Sequence, residues 1–279
     1  MAKSLKEIQS RLKALEKTAS ITDAMHNISI SKVKTFTKTF EVYTDFSQKF
    51  NEILKLATEQ IDHHVLINEP IEEKHLIILI SSDRGLVGSY HNQLFKNFLE
   101  YVKDKKNYQV LVIGRKGYAF ARRHKIPMVN THVISNRDDI SILTFIDQIR
   151  FVYKAFIDQK ITRVSVFYNH FINTAKQVVQ YDQILPIKCE KKTGIYKPHL
   201  YETKPVEMLE SIAILHIETK IYGALVDAKL SEHASRLIAM KTATDNAMQI
   251  REKLEMEYHR VRQQSITNEL IDIVNGTLV

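Results

Sequence analysis

Residues Val206–Val279 read VEMLESIAILHIETKIYGALVDAKLSEHASRLIAMKTATDNAMQIREKLEMEYHRVRQQSITNELIDIVNGTLV, with no proline after Pro205 and only two glycines, Gly223 and Gly276. Some seventy residues without a strong breaker predict one helix of roughly 100 Å, far beyond the usual length of about 11 or 12 residues. Ala224, Ala228, Ser231, Ala234 and Ser235 place small side chains where a tight two-stranded coil would carry Leu or Ile. Toward the end, Ile266, Leu270, Ile271, Ile273, Val274, Leu278 and Val279 are apolar on nearly every side of a helix. A helix apolar all round is expected to be enclosed by other protein.

Working outward, residues 1–69 contain neither glycine nor proline. Ser4 with Glu7 reads as a capping box, and apolar residues then recur at steps of three and four: Leu5, Ile8, Leu12, Leu15, and later Val33, Phe36, Phe40, Tyr43, Phe50 and Leu54. The pattern predicts a second long helix ending near His63, with a slip of phase between about Ile21 and Val33. Because one helix runs toward the middle of the chain and the other away from it, the two are expected to pair antiparallel. The C-terminal helix then overhangs by about ten residues, or 15 Å.

All five prolines fall from Pro70 to Pro205, where the pattern changes. Leu76–Ser82 (LIILISS) is a continuous apolar run of buried-strand length followed by a turn at Asp83-Arg84-Gly85, and a helical pattern follows from Gln93 to Lys105. Val110–Ile113 predicts a strand, Lys116–His124 a helix and Asp138–Asp158 a third helix, while Arg163–Tyr168 and Lys176–Gln180 alternate as strands do. The fold class is therefore an α/β head (residues 70–205) with a mostly parallel sheet, set between the helical segments 1–69 and 206–279 that form a long antiparallel two-helix coiled coil.

The 279 residues are 44% hydrophobic and 26% charged, ordinary for a soluble chain, and no apolar run approaches the roughly twenty residues a bilayer span requires. The polar start MAKSLKEIQSRLK does not read as a signal peptide, so a cytoplasmic location is expected. The net charge of +8 is concentrated in residues 70–205, which hold 22 basic and 12 acidic side chains. Cys189 is the only cysteine, which excludes an intramolecular disulfide and a cysteine-rich zinc site.

Asp83-Arg84-Gly85-Leu86-Val87-Gly88 sits where a dinucleotide-binding domain keeps its phosphate loop, yet GxGxxG and GxxxxGK[ST] are both absent. Turn chemistry and a surface contact account for it more simply. His63 and His64 lack the i, i+4 spacing of a helical metal site and are expected to face solvent; no metal site and no catalytic constellation is expected. The basic middle carries no recognisable nucleic-acid motif.

Three stretches together resemble the γ subunit, the central shaft, of F-type ATP synthases: IQSRLKALEKTASITDAMHNISISKVK (Ile8–Lys34), LIILISSDRGLVGSYHNQLFK (Leu76–Lys96), and the pair RLIAMKTATDN (Arg236–Asn246) with RQQSITNELIDIVNG (Arg262–Gly276). Their order and spacing fit from one end to the other. The resemblance implies a non-catalytic subunit without cofactors, whose coil stands inside a ring of three α and three β nucleotide-binding subunits. Its head would face an ε-type subunit and the membrane rotor ring, making it peripheral to the inner face of the cell membrane. It also implies coupling or ring-contact roles for Met25, Arg236, Gln263, Thr267 and Glu269, with Ile273 and Val274 in the apolar tip and Asp83, Arg84 and Gly85 as a head contact loop. Asp23 stands where the family usually has Lys, and Val87, Ser89, Tyr90 and His91 depart from its usual CGGLN. The altered head loop leaves open a shaft of an F1-like motor driving a load other than proton transport. Rival readings are a coiled-coil nucleic-acid adaptor and a nucleotide-dependent enzyme built on the α/β part.

Overall fold

A computed structural model describes residues 5–58, 61, 63–188 and 204–277. The expected cap at Ser4, the polar loop carrying Cys189, Gly194 and Pro198, and the last residues Leu278 and Val279 lie outside them. The chain falls into two compact units, one of Met1–Ile30 with Arg236–Val279 and one of Ser31–Ser235.

Two long helices are present, α1 (Leu5–Thr58) and α5 (Pro205–Thr277). α1 stops short of the expected end near His63. The Thr58 hydroxyl turns back to the Lys55 carbonyl at 3.0 Å, and the chain then makes a turn in which the His64 carbonyl accepts the Ile67 and Asn68 amides. His64 does not face solvent on a helix. Its Nδ1 accepts the Leu66 amide at 3.3 Å, and its Nε2 lies 3.4 Å from Glu210.

Between the helices the sheet is assembled from β1 (His75–Ile80), β2 (Tyr108–Ile113), β3 (Arg163–Asn173) and β4 (Lys176–Leu185), in the order β2-β1-β3-β4. β1 pairs parallel with both neighbours, and β4 closes the far edge antiparallel to β3. HLIILI is buried at all six positions, as a central parallel strand covered on both faces requires.

Alternate residues serve opposite faces. Ile77, Leu79, Val110, Val112 and Phe167 pack under α2 (Tyr90–Val102) and α3 (Arg115–Arg123), against Leu94, Phe98 and Ala121. Leu76, Ile78, Ile80, Leu111, Val164 and Val166 face α4 (Ile146–Ile157) and the first part of α5, through Ile149, Val152, Ile217, Ile221, Ala224, Leu225 and Ala228. Each large aliphatic so buried contributes about 1.5 to 3 kcal/mol. The small residues of α5 therefore have a role the sequence did not reveal: Ala224 and Ala228 belong to the core that contains the sheet.

The helix expected from Asp138 starts later, with a 3-10 turn at Ile142–Phe145 leading into α4. The preceding residues are bound elsewhere. Asn136 donates through Nδ2 to the Ser81 carbonyl at 2.8 Å, and Ser135 donates to Asp83 at 2.5 Å.

Candidate functional site

At the C-terminal ends of β1 and β2, Ser81 binds the neighbouring turn from several sides. Its hydroxyl donates to the Ile113 carbonyl at 2.9 Å and accepts the Gly117 amide at 2.8 Å. Gly114, at φ 98, is required there, since a Cβ would lie 2.4 Å from the Ser81 carbonyl oxygen. The Lys116 amide donates to the Ser82 carbonyl, and the Arg115 amide to Asp83 Oδ1 at 3.0 Å. These amides open α3, so the donors that could cradle a phosphate already bind the chain itself. On the far side of β1, the Tyr90 hydroxyl donates to the Ala228 carbonyl of α5 at 3.2 Å, and the Asp227 carboxylate accepts the Phe171 amide at 2.8 Å. In an open α/β sheet the crevice at the strand ends holds ligands; here residues of α5 lie against it.

Of the expected head loop, Asp83 is turned inward. Burial raises its carboxyl, but hydrogen bonds from Ser135 and from the Arg115 and Asn136 backbone amides outweigh that and hold it below the usual carboxylate range. Gly85 is half-buried, while Arg84 and Leu86 face solvent, Leu86 in the left-handed region at φ 62.

A cluster of charges in Ser31–Ser235 was not anticipated. Lys229 and Glu232, both buried, meet at 2.9 Å, and Asp138 approaches Lys229, His233 and Lys32 at 3.4, 3.2 and 3.4 Å. The hydrogen bond from His233 first, then the charges of His233, Lys229 and Lys32, hold the Asp138 carboxyl far below its ordinary value despite partial burial. Nearby, His170 donates to Asp227 at 2.6 Å, although burial pushes the Asp227 carboxyl up. Asp227, Lys229 and Glu232 stand among Ala228, Ser231 and Ala234, a pattern that fits a helical seam as well as a face laid on a sheet, so nothing in the sequence singled these charges out.

In the other unit, the Thr22 and Thr244 hydroxyls lie 2.7 Å apart, and the His26 ring donates through Nδ1 to the Leu237 carbonyl at 3.1 Å. Between these residues, Met25 is half-buried and its carbonyl accepts the Ser29 hydroxyl at 2.8 Å. Arg236 is only 6% exposed. Gln263, Thr267 and Glu269 are exposed, and the Thr267 hydroxyl donates to the Gln263 carbonyl at 2.9 Å. Ile266, Leu270, Ile271 and Ile273 are also exposed, Leu270 by 57% and Ile273 by 63%; the Val274 side chain lies outside the described residues. The structure thus places Met25 and Arg236 in a packed stretch and Gln263, Thr267, Glu269 and Ile273 on an open one. Among the described residues no cluster of His, Cys, Asp and Glu could hold a metal ion, and no helix is long and apolar enough to cross a membrane.

The family model described as ATP synthase matches residues 4–278. The ATP synthase gamma chain of Xanthomonas axonopodis pv. citri is 34% identical over 280 residues, covering 97% of both chains. That of Macrococcus caseolyticus is 32% identical over 283 residues, covering 98% of both. In fold, the chain is similar to a chain of the Euglena gracilis mitochondrial ATP synthase OSCP/F1/c-ring structure, with a TM-score of 0.70 at 16% identity over 98% of this chain and 93% of that one. A chain of the Tetrahymena thermophila central stalk and c-ring structure gives 0.61 at 22% identity, over 80% and 99%. A sheet flanked by two long terminal helices is thus shared with known central stalks, and relatives above 30% identity align along nearly the whole length: the chain belongs to the ATP synthase gamma chain family.

Proposed function

We propose that the chain is the central rotary shaft of an F-type ATPase, coupling ATP synthesis or hydrolysis in a surrounding ring of three α and three β subunits to rotation, and through its α/β head to proton translocation. In this reading residues 1–69 and 206–279 form an antiparallel two-helix coiled coil, and residues 70–205 form the head. Side-chain contacts between α1 and α5 support the pairing. Thr22 meets Thr244 and His26 meets Leu237 in one unit; in the other Phe36 stacks on His233, Tyr43 meets Tyr222 and Phe50 stacks on His216. In each unit the α5 number falls as the α1 number rises.

The chain carries no catalysis of its own in this scheme. An asymmetric rod makes three otherwise equivalent nucleotide sites face different surfaces. Binding at one site and release at another then favour different rod angles, a coupling set by differential contact free energy. Met25, Arg236, Gln263, Thr267, Glu269, Ile273 and Val274 would meet the ring. The loop Asp83-Arg84-Gly85 would meet an ε-type subunit or the membrane rotor ring, chiefly through Arg84, which would leave the chain peripheral to the membrane. Similarity to ATP synthase gamma chains over 97% of both chains favours proton coupling over another load.

The observation that carries the reading is the long α5 with its exposed apolar end, in a chain of this family. Tagging the chain in its native cells and quantifying its companions tests it. Two nucleotide-binding subunits at three copies each per tagged chain are expected, and a tagged chain that purifies alone would overturn the reading.

A further inference from the structure

We propose that Asp138 is a positioning residue for energy coupling: it fixes α1 and α5 to the α/β part in one register, so that torque carried by the helices reaches the head. The inference rests on the shaft reading and deepens it. Asp138 lies in the irregular segment between α3 and the 3-10 turn that leads into α4, and that segment is anchored to the sheet. Ile134 bridges Ile113, Ser135 donates to Asp83, and the buried Asn136 donates to the Ser81 carbonyl. From this fixed base one carboxylate reaches both helices. Oδ2 lies 3.4 Å from Lys32 Nζ on α1, while Oδ1 lies 3.4 Å from Lys229 Nζ and 3.2 Å from His233 Nε2 on α5. Lys229 is also held by Glu232 at 2.9 Å, and the His233 ring stacks on Phe36 of α1 at 5.5 Å.

The surrounding packing explains why a directional contact is needed here. Ala224, Ala228, Ser231 and Ala234 give α5 small side chains, and apolar burial is non-directional, so register rests on directional contacts; Tyr90 and Asp227 tie α5 alone to the α/β part, whereas Asp138 reaches both helices. Buried polar groups are best attested as devices that fix register rather than as sources of stability. A side chain that serves mainly to fix position should, when neutralised, let the helices yield under load while the nucleotide sites continue to turn over.

The test uses the complete membrane-bound complex with D138N, and with K32M as a second variant, because Lys32 is half-exposed and its loss leaves the core intact. ATP hydrolysis rate, KM for ATP and ATP-driven proton pumping are measured on the same membranes. Hydrolysis within about twofold of wild type, an unchanged KM, and pumping per ATP reduced several-fold are expected for D138N, with a smaller loss for K32M and partial restoration by D138E. A merely structural role would lower hydrolysis and pumping in proportion. That outcome, or a wild-type pumping ratio in both variants, overturns the proposal; if D138N fails to assemble, K32M decides it alone. A wild-type chain that does not assemble with nucleotide-binding subunits overturns the shaft reading itself, and no pumping ratio then exists to be read.

Discussion

Two buried histidines make the fold sensitive to acid. His75 shares a hydrogen bond of 2.9 Å with the Ser165 hydroxyl, and His216 donates through Nε2 to the Ile184 carbonyl at 3.0 Å. Burial, then the charges of Lys105 and Arg163, bring His75 down to about 3, even though Glu73 lies 3.6 Å from its other nitrogen. Burial also dominates at His216, which falls to about 4; its bond to Ile184 opposes the shift and Lys220 adds to it. Both rings stay neutral in the folded chain while the unfolded chain takes up protons below about 6.5. Stability is therefore fully present above that pH and is lost as pH falls from 6.5 toward 4, by roughly 1.4 kcal/mol per unit for each ring, an upper figure. Urea midpoints of the purified chain should be level between pH 8 and 7 and drop clearly by pH 5, and H216Q should have a shallower drop. An equal slope in wild type and H216Q would mean that His216 is not held neutral.

At the scale of elements, the contact between α1 and α5 turns on Gly223. A Cβ there would lie 2.0 Å from the Tyr43 ring, so the ring occupies the place of a side chain. Alanine would raise helix propensity by about 1 kcal/mol, while overpacking costs about 1 to 3 kcal/mol, so G223A is expected to lower stability on balance. Thermal unfolding should show a decreased midpoint for G223A and recovery in G223A combined with Y43L; an increased midpoint for G223A alone would show that the ring swings aside freely. This contact also marks where legibility ended. The apolar run of β1, the two stretches without breakers and the prolines confined between them were plain, because each rests on local chemistry. The core position of early α5 was not, because alanines and serines along a helix serve equally as a seam or as room for a sheet. Nor was the burial of Arg236 legible, because burial of a charge is decided by what packs over it, not by its own neighbours in sequence. The late start of α4 was hidden because Ser135, Asn136 and Asp138 are committed to residues more than fifty positions away in sequence, among them Ser81, Asp83 and Lys229.

For the whole molecule, the apolar residues left open on α5 define the next test. Ile266, Leu270, Ile271 and Ile273 are exposed by 45% to 63%, so they add little to the stability of the chain alone. Contiguous exposed apolar surface marks an interaction site, and covering each side chain would contribute on the order of 1 kcal/mol to assembly. The double substitution L270E and I273E separates these roles. The folded chain should unfold at the wild-type midpoint, since surface changes usually cost no more than about 0.5 kcal/mol. Recovery of nucleotide-binding subunits on the tagged chain should fall at least tenfold, because two carboxylates would enter an apolar seat without partners. The same prediction distinguishes a seated tip from a free one: if the double variant assembles and couples like wild type, the end of α5 is not held by the ring, and torque must enter through the packed stretch around Met25 and Arg236 instead.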